Sequence, residues 1–285
     1  MRTIIRRLLV IAFTVAVVEA FQPTLSAMPG AGQPAIAASA FTRAIRFLAD
    51  GKQADAEQLI QDQLQSETNA RQPLDADEVF LLAVCTRSRF EIDNALPMFI
   101  AVTQLAPNTL HGRAAADIVR LDQHDGDPEA EFADLDQLCA ANPDDPLILW
   151  MVGVQCRTLN KVDIGVVRYR KLCTMWDPGP VLVHQTFANV LDDAGKYDES
   201  LIHRRIAVRL EPEGWAYEGL ANTLTHLKRW GEADAAYAKC TGMEPDNVHY
   251  WNNWAWSKHC RGDAEGEAEM EAKVGQIQNG TAPAN

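Results

Sequence analysis

The chain has 285 residues, of which 47% are hydrophobic and 23% are charged, and its formal net charge is −13 at pH 7. The hydrophobic content is ample for a folded core, and the length allows one or two ordinary globular domains. Because a strongly acidic protein repels phosphate backbones, the charge argues against nucleic acid as a partner and favours a basic or neutral one.

The N-terminal segment is typical of an export signal. Three arginines within the first seven residues precede an apolar run at 8–18. That run suits a signal peptide and is shorter than the ~20 residues of a membrane-spanning helix. We therefore assign 1–27 as a signal peptide, cleaved after Ala20 or Ala27, and expect a periplasmic or secreted protein with no membrane span in its mature chain. The alternative is an uncleaved N-terminal membrane anchor.

Residues 28–38 are rich in alanine, proline and glycine, which indicates a flexible leader. From 39 to 247, apolar residues recur at spacings of three and four, the pattern of amphipathic helices. Turn signals divide this stretch into six helical hairpins of about 34 residues each. Five hairpins end at prolines that are separated by 36, 35, 34 and 33 residues: Pro107, Pro143, Pro178, Pro212 and Pro245.

Two hairpins and the C-terminal end depart from this regular pattern. In the second hairpin, Pro97 is expected in the first turn of the second helix, where a missing N–H is tolerated. In the third, the most degenerate, the first helix is predicted at 112–125. A degenerate seventh unit at 248–274 is expected to cap the array, with a short, glutamate-rich second helix at 268–274 that faces water. Residues 275–285 are expected to form a disordered tail.

A glycine or asparagine follows the first helix of most hairpins, at Gly51, Gly126, Asn160, Gly195 and Gly262. A residue at this place must take a left-handed backbone conformation to end the helix sharply, and glycine and asparagine do so most readily. The sixth hairpin differs, because Lys228 occupies the same place.

The sixth hairpin, Gly214 to Pro245, carries the most specific signature. Its first helix shows a large, Leu, small, large pattern, and its second shows an Ala, aromatic, small pattern before the closing proline: Tyr217, Leu220, Ala221, Leu224, Ala233, Tyr237, Cys240 and Pro245. This stretch resembles a tetratricopeptide repeat. The resemblance implies an all-α fold, a right-handed α-solenoid of helix-turn-helix hairpins. Small residues that would let paired helices approach closely recur at Ala83, Gly153, Ala188 and Ala221.

In this family, the first helix of each hairpin lines a concave groove. The resemblance places Asp77, Phe80, Val84 and Arg87 of the second hairpin in that groove, with Leu147 and Val154 of the fourth. The residues expected to bind a peptide there are Trp150, Arg157, Gln185, Asn189, Asp192, Trp215, Glu218, Asn222, His249, Asn252 and Trp256. Asn189 and Asn222 stand where the family often has an asparagine that grips a peptide backbone, although each could equally be a solvated polar residue.

The candidate groove residues indicate the chemistry of the partner. Aromatic side chains beside carboxylates suit a protein or peptide rich in basic or aromatic residues. Gln185 and Glu218 stand where binding of an acidic C-terminal tail would need lysine, so we exclude that ligand. The alternative is that the aromatic residues pack against neighbouring helices and that the acidic residues form a solvated face.

The sequence shows no catalytic constellation, so we predict a non-enzymatic scaffold that binds a protein or peptide. The alternatives are an assembly factor of an envelope complex that uses convex or edge surfaces, and an accessory subunit of an enzyme. No cofactor is predicted, and the seven histidines show no spacing typical of a metal site. An even number of cysteines in an exported chain could form disulfides, but nearly all six lie at or beside positions that take a small apolar residue, which favours buried free thiols. The oligomeric state stays open.

Overall fold

A computed structural model describes residues 38–89, 91–124 and 126–279, which form fourteen α-helices and no strand. The helices are α1 Ala40–Ala49, α2 Gln53–Ala70, α3 Ala76–Ser88, α4 Ile92–Leu105, α5 Leu110–Gln123, α6 Pro128–Ala141, α7 Pro146–Thr158, α8 Val162–Met175, α9 Val181–Asp193, α10 Tyr197–Leu210, α11 Gly214–His226, α12 Trp230–Met243, α13 Val248–Cys260 and α14 Ala264–Gln278. The predicted signal peptide, most of the leader and the last six residues of the tail lie outside the described residues.

Successive helices pack as hairpins, and the hairpins belong to two compact units. Unit 1 comprises the chain up to Leu159 together with Arg168–Pro180, and unit 2 comprises Asn160–Val167 and the chain from Val181 onwards. The boundary between the units falls within α8. In unit 1, α1, α3, α5 and α7 are the first helices of their hairpins; in unit 2 these are α9, α11 and α13. The predicted all-α fold of helical hairpins is confirmed.

Helix boundaries differ from the predictions at three places. Helix α4 begins at Ile92, so Pro97 is its sixth residue and lies in the second turn rather than the first. Helix α5 runs from Leu110 to Gln123, about two residues earlier than predicted, because Thr109 caps it by accepting a hydrogen bond from Gly112 N–H. Helix α14 is a full 15 residues and extends to Gln278, beyond the short helix and into the tail that we predicted.

Five of the turns within the hairpins share one backbone geometry, whereas in the third hairpin His124 (φ 56°) takes it instead of the predicted Gly126 (φ 141°). Residues Gly51, Asn160, Gly195 and Gly262 have φ values of 75°, 55°, 68° and 77°, as predicted. Lys228 takes the same conformation, with φ 58°. At this turn, Arg229 N–H donates to the Leu224 carbonyl at 2.9 Å, the same bond that Lys196 N–H makes to the Leu191 carbonyl at 2.8 Å. Lysine therefore occupies a position that favours glycine.

A histidine joins three successive first helices of unit 1. Nδ1 of His111 on α5 lies 2.8 Å from Asp77 Oδ1 on α3, and its Nε2 lies 3.0 Å from Oδ2 of Asp145, the N-cap of α7. The ring is buried and stacks on Phe80, with the ring centroids 4.5 Å apart. Burial opposes protonation of the ring, but the two carboxylates outweigh it and raise the pKa of His111 to about 9.

A second set of polar contacts joins the same three helices near their other ends. Arg87 on α3 donates to both carboxylate oxygens of Asp122 in α5, at 2.8 and 2.9 Å, and both side chains are buried. Gln155 on α7 donates to the same carboxylate at 3.1 Å. A bidentate pair of this kind fixes the rotation of each helix about its axis as well as its position.

Unit 1 buries most of the positions that were predicted to line a groove. Helix α3 packs directly on α7, so Phe80 and Val84 meet other core side chains instead of solvent. Leu147, Val154 and Arg87 are buried as well. At Gly153, which was predicted to be a small position, only glycine fits, because a Cβ at this residue would lie 2.3 Å from Cε2 of Tyr169. The sequence pattern gave the correct helices but could not show that α3 and α7 come together.

Replacing Lys228 with glycine is expected to stabilise the protein. A non-glycine residue in the left-handed region costs about 1–2 kcal/mol, and the extra backbone entropy of glycine offsets about 0.5–1 kcal/mol of that. We expect Lys228→Gly to raise the free energy of unfolding in urea by about 0.5–1 kcal/mol. Gly195→Ala is the matched control: no atom lies within 4 Å of the added Cβ, so its expected loss reports backbone conformation alone. A neutral or destabilising Lys228→Gly would contradict this account.

The His111 contacts are expected to make stability depend on pH. Since the folded pKa is about 9, above the ordinary 6.5, the stabilisation is complete below pH 6.5 and is lost as the pH rises through 9. One unit of pKa corresponds to about 1.4 kcal/mol, so we expect the wild type to lose on the order of 2–3 kcal/mol of unfolding free energy between pH 6 and pH 9.5. His111→Gln should lose less over this range, whereas His249→Gln, which changes an exposed histidine, should behave as the wild type. An unchanged pH dependence in His111→Gln would show that the histidine is not charged in the folded protein.

Candidate binding face of unit 2

Two neighbouring first helices of unit 2, α11 and α13, present polar and aromatic side chains on one face. Spacings of three and four residues place Trp215, Glu218 and Asn222 on the same side of α11. A hydrogen bond joins Glu218 on this side to Asn253 on α13, and Asn253 in turn contacts His249 one turn earlier on the same helix. The α11–α13 face is defined by seven residues: Trp215, Glu218, Asn222, His249, Asn252, Asn253 and Trp256.

The carboxylate of Glu218 is the centre of the α11–α13 face. Its Oε1 accepts hydrogen bonds from Asn222 Nδ2 at 2.5 Å and from Asn253 Nδ2 at 2.6 Å, and it lies 3.6 Å from His249 Nε2. The side chain keeps 16% of its surface exposed. Neutral amides hold this carboxylate in place, and neither arginine nor lysine is among its contacts in the described residues. This carboxylate is therefore partly exposed and, within the part of the chain that the structure describes, is not paired with an arginine or a lysine.

Asn222 is held by the second helix of its own hairpin. The phenol of Tyr237 on α12 donates to Asn222 Oδ1 at 2.5 Å, while Nδ2 of the same amide donates to Glu218. Burial raises the pKa of Tyr237 well above its usual value, so the phenol remains a hydrogen-bond donor at any physiological pH. A buried donor that holds Asn222, which in turn holds Glu218, gives the face one fixed arrangement.

The same arrangement recurs one hairpin earlier in unit 2. Arg204 on α10 donates to Asn189 Oδ1 at 2.7 Å and to Asp192 Oδ2 at 2.8 Å. Thr223 on α11 also donates to Asp192, at 3.1 Å, which joins the two hairpins. Gly219 makes room for this network, because a Cβ there would lie 2.6 Å from Nη1 of Arg204. Asn189 and Asp192 therefore have structural contacts, and Gln185 beside them is half-buried.

A row of three aromatic rings borders the α11–α13 face. Trp256 on α13 is 42% exposed, and its ring centroid lies 5.3 Å from that of His226 at the end of α11. His226 stacks in turn on Tyr197 at the start of α10, with centroids 4.5 Å apart. Trp215 is half-buried, and His249 and Asn252 are exposed. The row extends the accessible aromatic surface beyond the tryptophans that the sequence indicated.

The two candidates in unit 1 have different environments. Trp150 is fully buried and packs edge-to-face on Trp176, with centroids 6.1 Å apart, so it belongs to the core of that unit. Its indole N–H has no hydrogen-bond partner in the described residues. Arg157 is exposed. Trp150 therefore has no exposed surface that a ligand could contact. The repeat pattern predicted a groove at this position, but the tryptophan fills the space between packed helices.

Sequence reasoning missed the side chains that organise the face: Asn253, Tyr237, Arg204, Thr223, His226 and Tyr197. The spacing of these residues along the sequence is consistent with the contacts that they make. Asn253 follows Glu218 by 35 residues, and both Arg204 and Tyr237 follow their asparagine by 15 residues. The first spacing is close to one repeat, and the second is the distance between facing positions of one hairpin. Asn252, which we predicted, is exposed, and the neighbouring Asn253 makes the bond to Glu218.

The cysteines follow their predicted environment only in part. Cys85, Cys139, Cys156 and Cys240 are buried, whereas Cys173 is half-buried and Cys260 is an exposed free thiol. Burial raises the pKa of Cys139 to about 11 and that of Cys240 to about 12, so these thiols are unreactive at neutral pH. Cys260 departs from the expectation because it is the last residue of α13, where the chain turns at the surface.

Within the described ranges, no helix is both long enough and apolar enough to cross a membrane. The apolar run at 8–18 lies outside these ranges.

Comparison with known proteins shows the fold. No protein-family model matches the sequence, and no curated protein is similar enough to be matched. Among solved structures, MamA (41 to the end) from Desulfovibrio magneticus RS-1 is 18% identical, covers 61% of this chain and 100% of its own, and superposes with a TM-score of 0.52. PilF from Pseudomonas aeruginosa is 13% identical, covers 72% of this chain and 92% of its own, and superposes with a TM-score of 0.51. Both are tetratricopeptide repeat proteins, and the fold of this chain is therefore that of a tetratricopeptide repeat protein.

Proposed function

We propose that this chain is a non-enzymatic scaffold for protein binding, and that the α11–α13 face of unit 2 holds a partner segment that carries lysine or arginine beside an aromatic residue. The observation that carries the proposal is the partly exposed carboxylate of Glu218, which Asn222 and Asn253 fix in place on a face that also carries Trp215 and Trp256. Tetratricopeptide repeats are a fold of scaffold proteins, and the structures similar to this chain support that class of function.

A cation from the partner would find two favourable contacts on this face. Glu218 offers a charge-assisted hydrogen bond, which is roughly twice as strong as a neutral one. Trp215 and Trp256 offer ring faces, on which a cation gains about 0.5–1 kcal/mol at an exposed site. The carboxylate is already oriented before binding, so the partner does not have to order it. The net charge of −13 attracts a basic segment over longer distances as well.

The same contacts favour a binding role over catalysis. Three of the five polar side chains of the face, Asn222, Asn252 and Asn253, are amides, and an amide neither takes a proton from a nucleophile nor gives one to a leaving group. Amides are suited to holding another chain by its side chains and backbone. We therefore assign the face to recognition.

A second candidate function is assembly through the outer surface of unit 2. Val167 on α8 and Ile202 on α10 belong to second helices, are 35 residues apart and are each 59% exposed. Equivalent positions of successive helices bring such side chains near each other, and exposed apolar pairs of this kind favour protein contact. This observation supports the assembly alternative that the sequence left open.

Peptide selection tests the proposed face. We expect a displayed random-peptide library, selected on the purified protein, to yield peptides with Lys or Arg next to an aromatic residue. The selected peptides should lose at least about tenfold in affinity for Glu218→Gln, which keeps the size and the acceptor oxygen but removes the charge. The double change Trp215→Ala with Glu218→Gln should abolish their binding, as measured by calorimetry, while circular dichroism shows unchanged helicity.

Two control variants separate the alternatives. Asp198→Asn removes an exposed carboxylate of α10 and should leave the affinity unchanged. Ile202→Lys interrupts the exposed apolar pair and should also leave it unchanged. If Ile202→Lys abolishes binding and Glu218→Gln does not, the partner uses the outer surface and the assembly alternative is correct.

We also propose that the protein is exported, on the basis of the arginines and the apolar run of its first 27 residues. We expect these residues, fused to a reporter that is active only outside the cytoplasm, to give activity. N-terminal sequencing of the exported product should begin at Phe21 or Met28. Activity with the full-length fusion retained in the membrane would instead support an uncleaved anchor.

A further inference from the structure

Two histidines of one hairpin in unit 2 face each other through the same ring atom. His184 on α9 and His203 on α10 have their Nδ1 atoms 2.9 Å apart. The rings are close to parallel, with an interplanar angle of 23° and centroids 5.2 Å apart. His184 is 4% exposed, and His203 is half-buried. The pair is therefore sheltered but open to small solutes on the His203 side.

The surroundings of the pair suit a bound cation. The ring of Phe187 lies 4.5 Å from that of His203 and forms an apolar wall on one side. Glu199 lies one turn before His203 on α10, so it adds negative charge near the imidazoles. An apolar wall together with a nearby carboxylate limits water access and favours positive charge at the same time.

We propose that His184 and His203 bind a divalent transition-metal ion of the zinc class through their Nδ1 atoms. Two nitrogen ligands of a tetrahedral zinc ion, each at about 2.0–2.1 Å from the metal, lie about 3.3 Å apart. The observed separation of 2.9 Å needs only a small opening of the two rings to reach that value. Imidazole nitrogen selects zinc, copper, nickel and cobalt over calcium and magnesium, which prefer oxygen. Water or another side chain of this protein would complete the coordination.

The competing arrangement is a simple hydrogen bond between two neutral rings. In that case one Nδ1 carries a hydrogen atom and donates it to the lone pair of the other Nδ1. Only one of the two Nδ1 atoms then has a lone pair. A metal ion instead binds the lone pair of each Nδ1 atom, and the ring that carried its hydrogen on Nδ1 then carries it on Nε2 and stays neutral. The two arrangements differ in an observable, because only the second binds one metal ion per chain.

The sequence did not reveal the pair, because the two histidines are 19 residues apart on different helices. Metal ligands on a single helix occur at spacings of three or four residues, and no two histidines of this chain have that spacing. The prediction of no metal ligand rested on that absence. Only the packing of α9 on α10 brings His184 and His203 together.

Calorimetry with zinc chloride alone tests the site. The protein is first treated with a chelator and dialysed, and we expect one ion to bind per chain. His203→Gln, which changes the more exposed partner, should weaken zinc binding by at least about tenfold. His226→Gln and His249→Gln are matched controls for histidines outside the pair and should bind zinc as the wild type does. Zinc binding that is absent in the wild type, or equal in wild type and His203→Gln, overturns the proposal.

Cobalt provides a second measurement that does not depend on affinity alone. Co²⁺ in a tetrahedral protein site absorbs strongly in the visible range, and its spectrum distinguishes nitrogen and oxygen ligands from thiolate. We expect this absorption with the wild type and its loss in both His184→Gln and His203→Gln. Helical circular dichroism identifies a variant that fails to fold, in which case the other variant decides. Retention of the absorption in a folded variant overturns the assignment of that histidine.

Discussion

Buried polar side chains that recur at about one repeat length hold the first helices of these hairpins together. Asp77, His111 and Asp145 are separated by 34 residues each, and Arg87 and Asp122 by 35. Because a buried polar group without a partner costs free energy, each contact is satisfied only when neighbouring helices have one rotation and one offset. Apolar residues alone would tolerate small slips between helices. The polar contacts therefore select the register that the hydrophobic pattern leaves loose.

The same constraint produces the candidate binding face in unit 2. Glu218 and Asn253 are 35 residues apart, and Thr225 and Ser257 are 32 apart. The second contact is buried, at 2.8 Å, and joins α11 to α13, whereas the first is only partly buried and also orients a carboxylate. A hydrogen bond between residues about one repeat apart can thus either hold two helices together or orient a side chain for binding. Burial decides between the two roles, because only the accessible contact can meet a partner.

The repeat pattern predicted local structure well and the relation between distant helices poorly. The turn residues Gly51, Gly195 and Gly262 were predicted because the conformation they need is a property of a few neighbouring residues. The burial of Trp150 depends on where α3 and α7 lie, and that is decided by side chains some 70 residues apart. The His184–His203 pair likewise depends on how two helices are rotated. Residue types and spacings along one helix contain no information of that kind.

The asparagines Asn189 and Asn222 show what a partner could gain from this arrangement. In both, the side-chain oxygen accepts from a residue of the second helix 15 positions later, Arg204 or Tyr237. Each oxygen thus already has a partner, and at Asn222 one N–H also donates to Glu218, so a second N–H of this amide can meet a partner, for which the natural acceptor is a backbone carbonyl. The hypothesis that these asparagines grip an extended chain thereby becomes narrower: they would donate to the partner's carbonyl groups, while Glu218 accepts from its cation. A partner that binds in this way must present both groups on the same side of its chain.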